Sequence, residues 1–199
     1  MNNLMFSKLN KNNIVSYIED IFERRGNEIY AGEDVTISKH MLQSGTIAKK
    51  RKLSNEIVVA SLLHDIGHFN SEFGMFTMDD KKDRFHESMG AKILKPFFPQ
   101  IIVDCVYFHV SAKRYLTAID KDYESKLSRA SKHSLNLQGG PMNPKEVEKF
   151  EKNPNLNAII QVRYIDDEGK DPEMDTFPFS YFTPLIEETI HNSERMIID

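Results

Sequence analysis

The stretch SNEIVVASLLHDIGH, residues 54–68, sets an apolar run (Ile57, Val58, Val59, Ala60, Leu62, Leu63) directly against His64, Asp65 and His68. Ser54 is a suitable N-cap and the first glycine comes at Gly67, so the spacing predicts a helix over 55–66 with His64 and Asp65 in its last turn. Groups that prefer water at neutral pH need partners once they are buried beside a core. A cation is the partner that the local chemistry asks for.

Outward from this stretch, apolar residues recur at helical spacing over 14–23, 40–50, 86–97 and 101–108, and strand-like alternation is scarce. NPKEVEKFEKNP opens a further helix with Asn143 as cap and Pro144 at its first position. Two more helices are expected over 158–167 and 182–197. LNLQGGPMNP (135–144) reads as a turn, DPEMDTFPFS (171–180) as an extended or loop segment, and 69–84 as a long surface excursion. A loop of that length is uncommon without a function. Its Phe69, Phe73 and Phe76 either line a pocket or anchor the loop to the core. The expectation is an all-α protein with one domain over 1–199, its metal-binding core at about 30–170.

The chain has 199 residues, and 26 Lys and Arg stand against 30 Asp and Glu, a net charge of −4. With no dense basic block, nucleic acid is not expected as a partner. KKRK (49–52) reads as a solvated helix end, where cations suit the dipole. The single cysteine, Cys105, excludes an internal disulfide and fits a reducing cytoplasm as a small core residue. No apolar run has the roughly 20 residues needed to cross a bilayer, and 1–13 lacks an apolar signal core. A cytoplasmic location away from membranes is expected.

Five of the seven histidines, His40, His64, His68, His86 and His109, fall on four separate helices or helix ends, and VRYIDDEGK adds Asp166 and Asp167 behind an apolar helix face. Imidazole and carboxylate donors without thiolate suit iron, manganese or zinc, and a helical bundle can project them inward. His64 and Asp65 are neighbours, about 100° apart on a helix. Both serve one ion only if the helix end abuts it, and a carboxylate that bridges two ions removes the difficulty.

The order His40, His64 and Asp65, then Asp166, resembles the HD-domain superfamily of metal-dependent phosphohydrolases, and His86 and His109 resemble its two-metal branch. YAGEDVTISKHMLQ (30–43), LLHDIGH (62–68), FHVSAKRYL (108–116), SKHSLNLQGGPM (131–142) and RYIDDEGK (163–170) are similar to a narrower group, the PhnZ-type mixed-valent di-iron phosphonate oxygenases. The resemblance implies a single HD-domain helical bundle with His40, His64, Asp65, His86, His109 and Asp166 as ligands of two Fe ions, Fe(II) and Fe(III). Asp166 is preferred over Asp167 because the family's aspartate follows an arginine by three residues, here Arg163. It further implies O2 and a small 1-hydroxyphosphonate as substrates, with cleavage of the C–P bond to phosphate and a carboxylate. The C2 substituent, an amine, a trimethylammonium or none, stays open.

By the same matching, Lys113, Ser131 and Arg163 contact the phosphonate, which suits the need of a dianion for cations and hydroxyl donors. Lys113 follows His109 by one helical turn if that helix continues; otherwise it is a solvated lysine. Tyr30 and Glu33 match a pair that closes over the irons before substrate arrives. His68 takes either a supporting or substrate-contact role, or that of a core histidine. Two other readings of the ligand pattern are a two-metal HD phosphohydrolase of a nucleotide or phosphate ester, and a metal- or ligand-sensing HD domain without catalysis.

Overall fold

Ser54 caps the helix around which the others assemble: its hydroxyl accepts from the Ile57 amide at 3.4 Å, and every residue from Val58 to Leu63 is buried. A helix apolar on all sides belongs in the middle of a fold. The computed structural model describes residues 8–30, 32–69 and 77–195, with ten α-helices: α1 (Ile14–Arg25), α2 (Ile37–Lys50), α3 (Asn55–Leu63), α4 (His86–Leu94), α5 (Gln100–Ile119), α6 (Tyr123–Lys126), α7 (Arg129–Leu137), α8 (Pro144–Phe150), α9 (Leu156–Glu168) and α10 (Phe179–Arg195). Among the described residues there is no strand, only an isolated bridge between Ile29 and Thr36. The fold is the all-α bundle expected, with α3 packed against α2, α5, α9 and α10, and α4 against α5. No described helix is long and apolar enough to cross a membrane.

The helix expected over 55–66 ends earlier. It stops at Leu63, and a turn at His64 and Asp65 leads into a 3₁₀ helix, Ile66–Phe69. The tighter turn lets both side chains face one cluster, which neighbours on a regular helix do not. Gly67 is what allows it, because a Cβ there would stand 1.8 Å from the His86 carbonyl oxygen and 2.6 Å from the Gly90 nitrogen. The backbone of α4 therefore lies on the HDIGH turn and carries His86 to Asp65.

Other boundaries moved for traceable reasons. The block expected over 101–108 continues to Ile119, because Lys113 and its polar neighbours, which look like a helix end in sequence, are partly turned inward. Helix α7 was not anticipated, and the first three residues of the stretch read as a turn, 135–137, belong to it. It is short and polar, begun by Ser128, whose hydroxyl accepts from the Ser131 amide at 3.0 Å. His40 lies one turn inside α2 rather than at its start, α4 stops at Leu94, and α10 begins three residues before the expected Phe182. The capping box at Asn143, with Pro144 in the first turn, is present as read. Phe69 is buried beneath the Arg25 guanidinium and anchors its end of the long loop; Phe73 and Phe76, like Ile197, lie outside the described residues.

Substituting Gly67→Ala forces backbone apart, so it is expected to destabilise the protein by about 1–3 kcal/mol and to lower metal content by shifting His86. Thermal unfolding and metal analysis of the purified variant check both. Gly90→Ala, whose Cβ would meet Val106 Cγ1 at 3.0 Å and the Gly67 nitrogen only at 3.3 Å, is expected to do less.

Candidate metal centre

The turn after α3 places the Asp65 carboxylate between two sets of imidazoles. Its Oδ1 lies 3.3 Å from His86 Nε2 and 3.4 Å from His109 Nε2, and those two nitrogens are 3.0 Å apart. Its Oδ2 lies 3.6 Å from His40 Nε2 and 3.5 Å from His64 Nε2, again 3.0 Å from each other. Asp166 Oδ1 closes the second set at 3.3 Å from His40 and 3.7 Å from His64. Donors about 2.1 Å from one cation stand about 3.0 Å apart at right angles and about 3.4 Å apart at the tetrahedral angle. Both sets match that spacing, and all six side chains are buried.

Hydrogen bonds behind the rings aim these donors. Nδ1 of His40 faces the Gly169 carbonyl oxygen at 2.7 Å, that of His64 the Ser61 oxygen at 2.8 Å, and that of His109 the Val106 oxygen at 2.7 Å. A proton on each Nδ1 leaves Nε2 as the lone-pair nitrogen, the arrangement that metal-binding histidines use. Paired Nε2 lone pairs at 3.0 Å need a proton or a cation between them. Asp65 Oδ2 and Asp166 Oδ1, moreover, are buried without a hydrogen-bond partner, a costly state for a carboxylate oxygen. The residues present therefore fit a metal pair with Asp65 between its members.

The electrostatics agree. Burial opposes ionisation of Asp65 and Asp166, yet the surrounding imidazoles, and for Asp166 first the Arg163 guanidinium, hold both carboxyls well below the usual range. For His64 burial pulls downward, but Asp65 and Asp166 outweigh it and lift the ring to about 9. His109 is pushed down to about 4 by burial and by the neighbouring His86 and His64, against Asp65.

His68 borders the Asp65–His86 side of the cluster. Its Nε2 is 3.8 Å from Asp65 Oδ1, its ring stacks on His86 at 4.0 Å, and its buried Nδ1 has no hydrogen-bond partner to set the tautomer. The ring of Tyr30 stacks on His40 at 4.8 Å and meets the edge of His68 at 5.8 Å. Burial, then Asp65 and Asp166, raise its phenol well above the usual value, so it stays protonated.

A cavity opens on the cluster, lined among others by Tyr30, Glu33, His68, Asp83, Lys113, Ser131 and Arg163. The extension of α5 carries Lys113 into it, buried, with Nζ donating to Ser134 Oγ at 2.7 Å. Burial and the charges of Arg163 and Lys170, partly offset by Asp166, bring its ammonium down to about 7. Arg163 pairs with both Asp166 and Asp167. Asp167 thus turns away from the cluster, as anticipated, and also accepts from the Tyr123 hydroxyl at 2.5 Å. Ser134, Asp83 and Lys170 were not singled out in the sequence. Ser134 and Lys170 lay in motifs that had drawn attention, SKHSLNLQGGPM and RYIDDEGK, and Asp83 in the long excursion over 69–84.

This geometry defines a helical protein with a buried histidine–aspartate metal centre, and the chain belongs to the HD domain family, which matches residues 37–160. It is 56% identical over 184 residues, 92% of this chain and 94% of the relative, to the [1-hydroxy-2-(trimethylamino)ethyl]phosphonate dioxygenase (glycine-betaine-forming) of Leisingera caerulea. It is 38% identical over 160 residues, 78% of each chain, to the hydroxymethylphosphonate dioxygenase of Gimesia maris.

A cation that binds the cluster displaces the proton which the two carboxylates keep on His64. Calorimetry of the metal-stripped protein at pH 7.5, below the His64 value of about 9, is therefore expected to show proton release with a divalent cation. The heat should depend on buffer ionisation enthalpy. Asp65→Asn should lose both the binding and the buffer dependence.

Proposed function

We propose that this chain is a di-iron oxygenase that uses O2 to cleave the C–P bond of [1-hydroxy-2-(trimethylamino)ethyl]phosphonate, giving glycine betaine and phosphate. His40, His64 and Asp166 would hold one iron and His86 and His109 the other, with Asp65 offering an oxygen to each set, and the pair would work as mixed-valent Fe(II)/Fe(III). The observation that carries this reading is the Asp65 carboxylate, which offers one oxygen to each imidazole pair at the edge of a cavity lined by Lys113 and Arg163. The substrate's C2 substituent follows from the name of the Leisingera caerulea relative.

Bound there, the iron pair supplies the redox chemistry by which dioxygen oxidises C1. The remaining work falls to side chains. Lys113, Arg163 and Ser131 receive the phosphonate oxygens by charge-assisted hydrogen bonds. Asp166 and Asp167 hold the Arg163 guanidinium from two sides, which fixes the plane it presents and so the direction of C1. The Asp83 carboxylate, lining the same cavity, suits a trimethylammonium group, which attracts negative charge but donates no hydrogen bond. Tyr30, protonated and stacked on His40, fills the space over the cluster until substrate displaces it, keeping water and oxygen out.

Oxygen uptake and phosphate release measured together on the iron-loaded protein test the reaction. One O2 per phosphate is expected, with no phosphate from the same phosphonate under strict exclusion of air. Anaerobic phosphate release from a phosphate ester would instead mark a hydrolase. The low Lys113 value gives a second expectation. Its ammonium is charged below about 7 and loses the charge above, so kcat/KM should fall as pH rises through that value. Lys113→Arg, which stays charged, should shift this limb upward, whereas the substrate's own ionisation acts on both enzymes alike.

A further inference from the structure

Three of the four imidazoles on Asp65 are backed by main-chain carbonyls, and His86 is the exception. His64 and His109 each direct Nδ1 to the carbonyl three residues earlier, of Ser61 and of Val106, one turn back along the chain. His86 has no such turn behind it. It is the first residue of α4 and follows Phe85, whose backbone is left-handed at φ 52° and ψ 37°. What faces its Nδ1 is the next side chain, Glu87, with Oε2 at 3.7 Å. That oxygen is buried and has no hydrogen-bond partner among the described residues. Asp83, the other carboxylate close to this ring, already accepts from the Phe85 amide at 3.3 Å through Oδ1.

The two donor sets also differ in charge. His40 and His64 have Asp166 to themselves besides a share of Asp65, whereas His86 and His109 have only their share. A cation held by two neutral rings and one shared carboxylate is short of negative charge, and a carboxylate behind one ring makes up part of the difference. A carboxylate that takes the outer N–H of a metal-bound imidazole fixes the ring's tautomer and raises its donor strength. The separation of 3.7 Å is longer than a hydrogen bond, and the broad terminal torsion of a glutamate closes it without moving the helix.

We propose that Glu87 is the positioning residue of the His86–His109 metal site: with His86 Nε2 on a cation, Glu87 Oε2 accepts the Nδ1 proton and supplies negative charge that the site's own donors lack. In the metal-free protein the same oxygen is buried and unpaired, an unfavourable state that its role at the metal explains. The proposal rests on the two-metal reading of the cluster and extends it to a residue behind the ligands.

Manganese(II) is the probe, added to the metal-stripped full chain and followed by calorimetry and by the electron spin resonance of the bound ions. Wild type should bind two ions. In Glu87→Leu one of the two steps should weaken about tenfold or more, the scale for loss of such a partner, while the other step stays as it is. Glu87→Gln keeps an acceptor for Nδ1 without the charge, so its weakened step should lie between those of wild type and Glu87→Leu. On the iron-loaded protein Glu87→Gln should raise the Fe(III)/Fe(II) midpoint potential, because losing a negative charge favours the lower valence. That measurement decides the matter if Glu87→Leu does not fold. Both steps weakened alike in Glu87→Leu, or an unchanged potential in Glu87→Gln, overturns the proposal. Two ions bound as tightly by both variants as by wild type removes the role of Glu87 alone, whereas a wild type that takes up a single ion overturns the two-metal reading and the proposal with it.

Discussion

One buried carboxylate organises this molecule. Asp65 sits in the centre of the bundle with an imidazole pair against each of its oxygens, and burying such a charge costs several kcal/mol unless opposite charge compensates it. Nearly every unusual feature nearby follows from that need. The helix before it stops short, the turn that carries it passes under α4 with no room for a side chain at Gly67, and three of the histidine rings are held from behind by main-chain carbonyls. A cation pair turns this arrangement from a liability into a binding site, because it supplies charge where the lone pairs converge.

The second layer of the site is a balance of fixed charges. Arg163 is locked by two aspartates and Lys170 by a glutamate, while Lys113 is left with a hydroxyl and a lowered affinity for its proton. Such a cavity is poised for an anion: Lys113 and Arg163 line it, and the carboxylates beside them orient the cations. Tyr30 connects the two layers, since its ring packs on a histidine of the metal cluster while its loop is tied through Glu33 to the anion end.

The chemical content of the site was largely legible in the linear chain. Five histidines and two aspartates beside apolar helical runs pointed to a metal, the resemblance to HD domains singled out His40, His64, Asp65, His86, His109 and Asp166 among them, and all six converge. Lys113 was legible as well, once α5 was allowed to continue through its polar residues. Lys170, Ser134 and Asp83 were not. Each is an ordinary polar residue by type, and its importance lies in what it touches from elsewhere in the chain. The same is true of α7, whose short polar helix has no strong periodicity of its own and is ordered by Ser128 and its neighbours.

Side-chain type and helical spacing alone determined that this is a helical protein with donors for a metal, because those depend on local pattern and on the cost of burying charge. The tertiary structure decided which oxygen of Asp65 faces which histidines, how far HDIGH is from helical, and which carboxylate answers each cation. Those are relations between segments up to 137 positions apart, as between Glu33 and Lys170, and no local rule reaches across such a distance. Only packing brings them within hydrogen-bonding range.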